Sequence, residues 1–180
     1  MAIDNRVHTV FESVNMASTK YAERIFDCVA DIDLDNGTFG YMDELAEGFS
    51  HVYNFKAGTK EGKQVVMAHN PEWTEDTSNR LNQRKDKFFI PAGTVFRAFV
   101  IDELDEFALS PEGFNAEPVV DKFVTINANG KLDVADSASE GVAMCGKIMR
   151  KRQVGSTLVT GVRTYGYSRM MYTVKVDSLA

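Results

Sequence analysis

The densest run of potential metal ligands is Asp31-Ile32-Asp33-Leu34-Asp35-Asn36-Gly37. Carboxylates at every second position suit a hard cation such as calcium, whose shell is built from oxygen atoms. A helix–loop–helix calcium loop needs Gly at position six for a sharp turn and Glu at position twelve to close the shell. Counted from Asp31, those positions hold Asn36 and Met42. The aspartates therefore read as the wet face of a strand that runs into a turn. Gly58-Thr59-Lys60-Glu61-Gly62-Lys63-Gln64 imitates a phosphate-binding loop, but that loop requires four residues between its glycines and Ser or Thr after the Lys. Here three residues separate the glycines and Gln64 follows Lys63, so turn chemistry is the better explanation. His8, His51 and His69 show no metal-ligand spacing, and no GxSxG nucleophile elbow is present. Asp102-Glu103-Leu104-Asp105-Glu106 offers paired carboxylates for acid–base work, yet a polar run beside a strand end reads as a solvated face. Lys147-Ile148-Met149-Arg150-Lys151-Arg152 is the basic cluster of the chain. It either docks an acidic partner or caps a turn. No catalytic set, metal site or cofactor is predicted.

The elements that must carry these residues are strands. From Arg24 to Leu34, Phe26, Cys28, Ala30, Ile32 and Leu34 alternate with Asp27, Asp31 and Asp33, the period of a half-buried strand. Asp35-Asn36-Gly37 is a turn triplet, and Thr38–Met42 reads as the returning strand. Gly62–His69 and Thr94–Ile101 are further strands. Asp102–Leu109 suggests one or two helical turns. Ala128-Asn129-Gly130 between Lys122–Asn127 and Lys131–Val134 is a hairpin signal. Gly141–Met149 is a strand, Lys151–Gly155 a polar turn and Thr157–Arg163 another strand. Arg169–Asp177 alternates, with Met170, Tyr172, Val174 and Val176 inward and Arg169, Thr173, Lys175 and Asp177 outward. Eight or nine short strands predict a mainly β domain, a small barrel or sandwich. Residues 1–20 read as an N-terminal arm or edge strand, and residues 21–180 as one β domain. Pro71–Lys87 is a long polar loop with room for a short helix over Asp76–Gln83.

Bulk properties narrow the function classes. The chain has 180 residues and a net charge of −6, which argues against a general binder of nucleic acid or anionic membrane. No charged and apolar leader is visible at Met1–Arg6, and no apolar run approaches the roughly 18 residues of a membrane helix. Cys28 and Cys145 stand far apart without a CxxC spacing and read as buried reduced thiols. The expectation is a protein made in a cytoplasm.

The segment Phe123–Asp136, followed by Gly141–Ile148 and then Tyr172-Thr173-Val174-Lys175-Val176, resembles the small β-barrel decoration or cement proteins of tailed-bacteriophage heads. Asp33-Leu34-Asp35-Asn36-Gly37-Thr38 resembles an earlier hairpin of the same kind. The resemblance implies a virion structural protein, not an enzyme, that binds the outer surface of a capsid and stabilises the head lattice. Its partners would be the major capsid protein and further copies of itself in a symmetric homo-oligomer such as a trimer, with no nucleic acid and no membrane. Val7, Val10, Phe11, Trp73, Arg84, Lys85, Arg150, Lys151 and Arg152 are the residues assigned to the partner interface. Alternatives are a tail or head–tail joining component, or a small-molecule-binding or enzymatic barrel in which His69, Asp102 and Glu103 converge.

Overall fold

In the computed structural model of the chain, the described residues are 7–72, 84–139, 141–160 and 163–179, with backbone only for 156–160 and 163–167. They are mainly β. Five strands, β2 (Ile25–Val29), β3 (Phe39–Leu45), β4 (Val52–Ala57), β5 (Val65–His69) and β6 (Val95–Val100), close into a barrel in the order β2-β4-β3-β5-β6. All its pairings are antiparallel except that of β2 with β4. The other six strands form one sheet in the order β1-β7-β11-β10-β8-β9. They are β1 (Phe11–Asn15), β7 (Glu106–Leu109), β8 (Phe123–Ile126), β9 (Leu132–Ala135), β10 (Met144–Thr160) and β11 (Arg163–Leu179).

Period-2 geometry explains how the two sheets share a core. Along β5, Val66 and Ala68 point into the barrel with Cys28, Phe55, Phe96, Ala98 and Val100. Val65 and Met67, on the opposite face, join Phe39, Phe99, Ile101, Phe107, Leu109, Tyr172, Val174 and Val176 in a layer between barrel and sheet. Central strands such as β5 are thus apolar on both faces, and they read as continuous apolar runs. The Asn129-Gly130 hairpin turn docks on the barrel: Gly130 C=O accepts from Phe39 N–H at 2.8 Å. Gly130 has φ +75°, and a Cβ there would lie 2.2 Å from Phe39 O, so only glycine fits.

Several expectations need correction. Glu106–Leu109 is a strand and not a helical turn, because Phe107, Ala108 and Leu109 are fully buried between β1 and β11. Lys151–Gly155 is not a turn. Pairing runs unbroken from Arg150↔Thr173 to Thr160↔Arg163, and the polar residues mark solvent on the faces of a ribbon. Met170 is 40% exposed and Met171 1%. The ladder slips between Ile148 and Arg150, and beyond that bulge the buried face is the one carrying Met171, Val10 and Ala108. Ile32 is exposed because β2 ends at Val29. Strand β4 lies in a stretch that the patterning did not mark. Phe11–Asn15 forms the edge strand β1, beginning with the buried Phe11. The helix anticipated over Asp76–Gln83 falls in 73–83, outside the described residues.

Candidate functional site

β10 and β11 are each 17 residues long. β8 pairs only with Cys145–Lys147, and β7 only with Tyr172–Lys175. From Arg152↔Met171 to Thr160↔Arg163 the two strands pair with each other alone among the described residues. Those nine pairs make a ribbon roughly 28 Å long at ~3.3 Å per residue. Along that length neither edge pairs with a third strand among the described residues, and an open strand edge is the ordinary template for strand addition.

A charged network fastens the ribbon where it leaves the sheet. Arg169, on β11, donates to His8 C=O at 3.0 Å, to Ser110 Oγ at 3.2 Å and to Glu112 Oε2 at 3.2 Å. Its other terminal nitrogen lies 3.2 Å from Asp86 Oδ2. Asp86, 1% exposed, also accepts from Arg84 Nε at 3.0 Å and Arg84 Nη2 at 2.6 Å. His8 N–H donates to Asp86 C=O at 2.9 Å, and the imidazole stacks on Phe89 with 5.1 Å between ring centroids. His8 Nδ1 bonds Asp35 Oδ1 at 2.7 Å, and Thr9 donates to Asp35 Oδ2 through both N–H and Oγ1. Three segments distant in sequence, at His8, at Asp86 and at Ser110–Glu112, thus meet on the Arg169 guanidinium. Charged groups that are buried need this degree of pairing.

A cleft of about 280 Å³ opens beside the network, lined by Val10, Glu12, Arg84, Lys85, Val154, Gly155, Arg169 and Met171. Its floor is the apolar group Val10, Val154 and Met171. Its rim is a set of ion pairs: Arg84 and Arg169 with Asp86, Arg169 also with Glu112, Lys85 with Glu72 at 3.1 Å, and Glu12 with Arg152. A neighbouring hollow of about 380 Å³ shares Glu12 and Lys85 and reaches His69. Burial lowers the His69 pKa to about 4, reinforced by Arg97 and then Lys85. The ring lies between Phe11 and Phe99.

Chemically, the His8–Asp35 pair looks like the orienting half of a catalytic triad. However, Ser110 Oγ is committed to Val10 N–H and Arg169. The pair therefore acts here as a brace for the segment entering β1. The three aspartates of the Asp31–Gly37 run diverge: Asp31 pairs with Lys56, Asp33 accepts from Ala92 N–H, and Asp35 holds His8. Among the described residues, no group of three or more His, Cys, Asp or Glu could hold a metal ion. His69 and Asp102 do not converge. His69 sits opposite Arg97, and Asp102 lies five residues farther along the chain, roughly 16 Å at strand spacing. Asp102 instead pairs with Arg24.

The chain was compared with protein-family models, curated proteins and solved structures. None of them matches it.

The residues assigned to an interface separate into three groups. Val10 and Phe11 are 4% and 3% exposed and are packed inside this chain, so they do not serve as free surface anchors. Arg84 and Lys85 line the cleft, and Val7 is 48% exposed at the start of the described chain. Arg150, Lys151 and Arg152 stand at the ribbon root, where Arg150 reaches Thr173, Lys151 lies over the Tyr172 ring and Arg152 reaches Glu12. Trp73 is outside the described residues. Arg169, Asp86, His8, Asp35 and Glu112 were missed as a group. Alternation alone had placed Arg169 in solvent. Between Gly141 and Val176 the chain carries seven Lys or Arg and no Asp or Glu. That charge asymmetry is the one signal in the sequence that marks the ribbon.

Proposed function

We propose that the protein is a virion structural component that binds the outer surface of a phage capsid and stabilises the head lattice. The observation that carries this reading is the two-stranded ribbon standing off a doubly packed β body. A two-stranded hairpin is marginally stable in water by itself. It gains most when a partner completes its edges or covers its faces. Its sequence from Leu158 to Tyr167 is rich in β-branched and aromatic residues, which suit a pleated surface half covered by another protein. The resemblance of Phe123–Asp136, Gly141–Ile148 and Tyr172–Val176 to head decoration proteins supplies the kind of partner.

The test mixes purified protein with mature capsids that lack it and follows co-sedimentation and the temperature of capsid disassembly. The intact chain is expected to bind and to raise that temperature. A chain in which residues 157–166 are replaced by an Asn-Gly turn is expected to fold and to lose binding. If the intact chain neither binds capsids nor appears in purified virions, the proposal fails. Imaging it at the tail or portal end of the particle would replace the head lattice with that location.

A further inference from the structure

Charge is segregated along this chain. From Met144 to Leu179, the span of β10 and β11, there are seven Lys or Arg and one acid, Asp177. The rest holds 13 Lys or Arg against 25 Asp or Glu. Many of these groups are matched inside the chain, so a partner is recruited by those left over. Two places set unmatched charge beside exposed apolar side chains, and they are opposite in sign.

The acidic place is the turn between β3 and β4. Phe49 N–H donates to Ala46 C=O at 3.2 Å, and Gly48 between them has φ +84°. A turn tip is ordinarily polar, yet Leu45 is 50% exposed and Phe49 48%. Neighbouring Asp43 is matched by Lys60 and Lys63 at 3.7 Å each. Glu44 and Glu47 are exposed, and neither has an ion pair among the described residues.

The basic place is the bulge on β10 just past the end of β8. β8 pairs no farther along β10 than Lys147, and the ladder to β11 slips between Ile148 and Arg150. Met149 is therefore the extra residue, and a bulge of this kind re-aims a side chain. Met149 is 48% exposed. Asp121 N–H donates to Ile148 C=O at 2.9 Å, which brings the turn holding Val119, 50% exposed, beside the bulge. Lys147 is matched by Asp121 at 3.0 Å and Arg152 by Glu12. Arg150 and Lys151, both exposed, are not so matched. Arg150 donates to Thr173 Oγ1 at 3.2 Å and Lys151 lies over the Tyr172 ring, and neither meets a carboxylate among the described residues.

Apolar side chains exposed inside a polar rim mark protein contacts. Each place offers two apolar groups and two free charges, so each has the chemistry that the other lacks. Both are open within a single chain, so they meet between chains. We propose that the β3–β4 turn of one copy docks on the β10 bulge of a second copy. Glu44 and Glu47 face Arg150 and Lys151, while Leu45 and Phe49 pack on Val119 and Met149, whose flexible thioether adapts to an aromatic ring. The two patches differ, so the contact runs head to tail in a ring or filament, or is made twice across a two-fold axis. It leaves the ribbon beyond Arg152 open and does not depend on the capsid proposal.

Sedimentation velocity over a range of concentrations, at low and high salt, tests it on the intact chain. The wild type is expected to gain mass with concentration and to lose most of that mass at high salt. A tip variant, Glu44→Lys with Glu47→Lys, is expected to melt like the wild type and to associate at least about tenfold more weakly at low salt. A bulge variant, Arg150→Glu with Lys151→Glu, is expected to weaken association similarly. Mixing the two variants is expected to restore it, because the reversed tip then meets a reversed bulge and the native tip a native bulge. Phe49→Ser is expected to weaken association at both salt concentrations. Met149→Ser, expected to do the same, replaces the bulge variant if that one does not fold. A wild type that remains monomeric throughout overturns the proposal. So do folded tip variants that associate like the wild type, or a mixture of folded variants that stays monomeric. A monomeric wild type whose bulge variants lose capsid or duplex-DNA binding also overturns it, because the bulge then serves that partner.

Discussion

Asp86→Asn is the sharpest probe of the network at the ribbon root. The substitution keeps the side-chain shape and one acceptor oxygen but removes the charge that two guanidinium groups share. Arg84 has a side chain 39% exposed and can turn to water. Arg169 is 10% exposed and cannot. Breaking a buried pair by removing one partner costs about 3–5 kcal/mol. Glu112, Ser110 Oγ and the His8 carbonyl still hold Arg169, which places the expected loss at the low end, about 3 kcal/mol. For a chain of this size that is a fall in Tm of about 6–12 °C. Urea melts should show a lower midpoint with an unchanged slope. Arg169→Met is expected to cost a similar amount, and the double variant about 4 kcal/mol, since the second change removes a charge already stranded. Hydrogen exchange should quicken at the amides around Val154 and Arg169 while those of β5 and β6 stay protected. Two results refute this account: an Asp86→Asn chain within about 1 kcal/mol of wild type, or single losses that simply add.

His69 has a folded pKa of about 4 against an ordinary 6.5, so its contribution is complete above pH 6.5 and is lost as the pH falls toward 4. The partly exposed ring limits the loss to about 2–3 kcal/mol; His69→Phe should flatten the pH dependence of urea stability over that window, and an unchanged slope would falsify the assignment. Burial, with a smaller contribution from Asp27, pushes the Cys28 thiol up to about 12. A thiol reagent at pH 8 should leave Cys28 unmodified in the folded protein and modify it in urea, as read by peptide mass. Gly130→Ala forces a Cβ to 2.2 Å from Phe39 O at φ +75°; the expected loss exceeds about 1 kcal/mol in thermal melts, whereas alanine at Gly62, which also has a positive φ (+71°) but open space around it, should lose less.

How much was legible in the sequence depends on the distance over which each feature is decided. The Asn129-Gly130 hairpin, the Thr94–Ile101 strand and the buried cysteines follow from local chemistry, and the structure has them. The Asp102–Leu109 segment was misread because its acidic residues suggest a solvated turn, while Phe107 and Leu109 are decided by β1 and β11, far away in sequence. The ribbon was cut in two at Lys151–Gly155 because polarity is an unreliable turn signal in a two-stranded element that is wet on its faces. The charged network was invisible for the same reason: Arg169 meets His8 across 161 positions and Glu112 across 57. Leu104 was read as one member of a polar run. Only the backbone shows that it lies in the left-handed region, at φ +71°, with its N–H bonded to Val176 C=O at 3.0 Å.

The network matters because of where it sits on the ribbon. β10 and β11 are central strands of the six-stranded sheet before they leave it, so the ribbon continues the core and is not a loop inserted into it. Below Met171, burial against Phe107, Phe114 and Val124 fixes the strands. Above Arg169 there is no third strand among the described residues. At the boundary, a tilt of 10° would move the far end of a ribbon roughly 28 Å long by about 5 Å, the spacing between neighbouring strands. Partner surfaces read by strand addition do not tolerate that error, so the direction must be set before contact. Arg169 sets it by tying β11 to the segment before β1, to the loop after β7 and to Asp86. On the proposed function, residues away from the ribbon's free edges therefore govern how tightly a partner is bound there. Asp86→Asn should weaken ribbon-dependent binding more than its loss of stability alone accounts for, measured at a temperature where the variant remains fully folded.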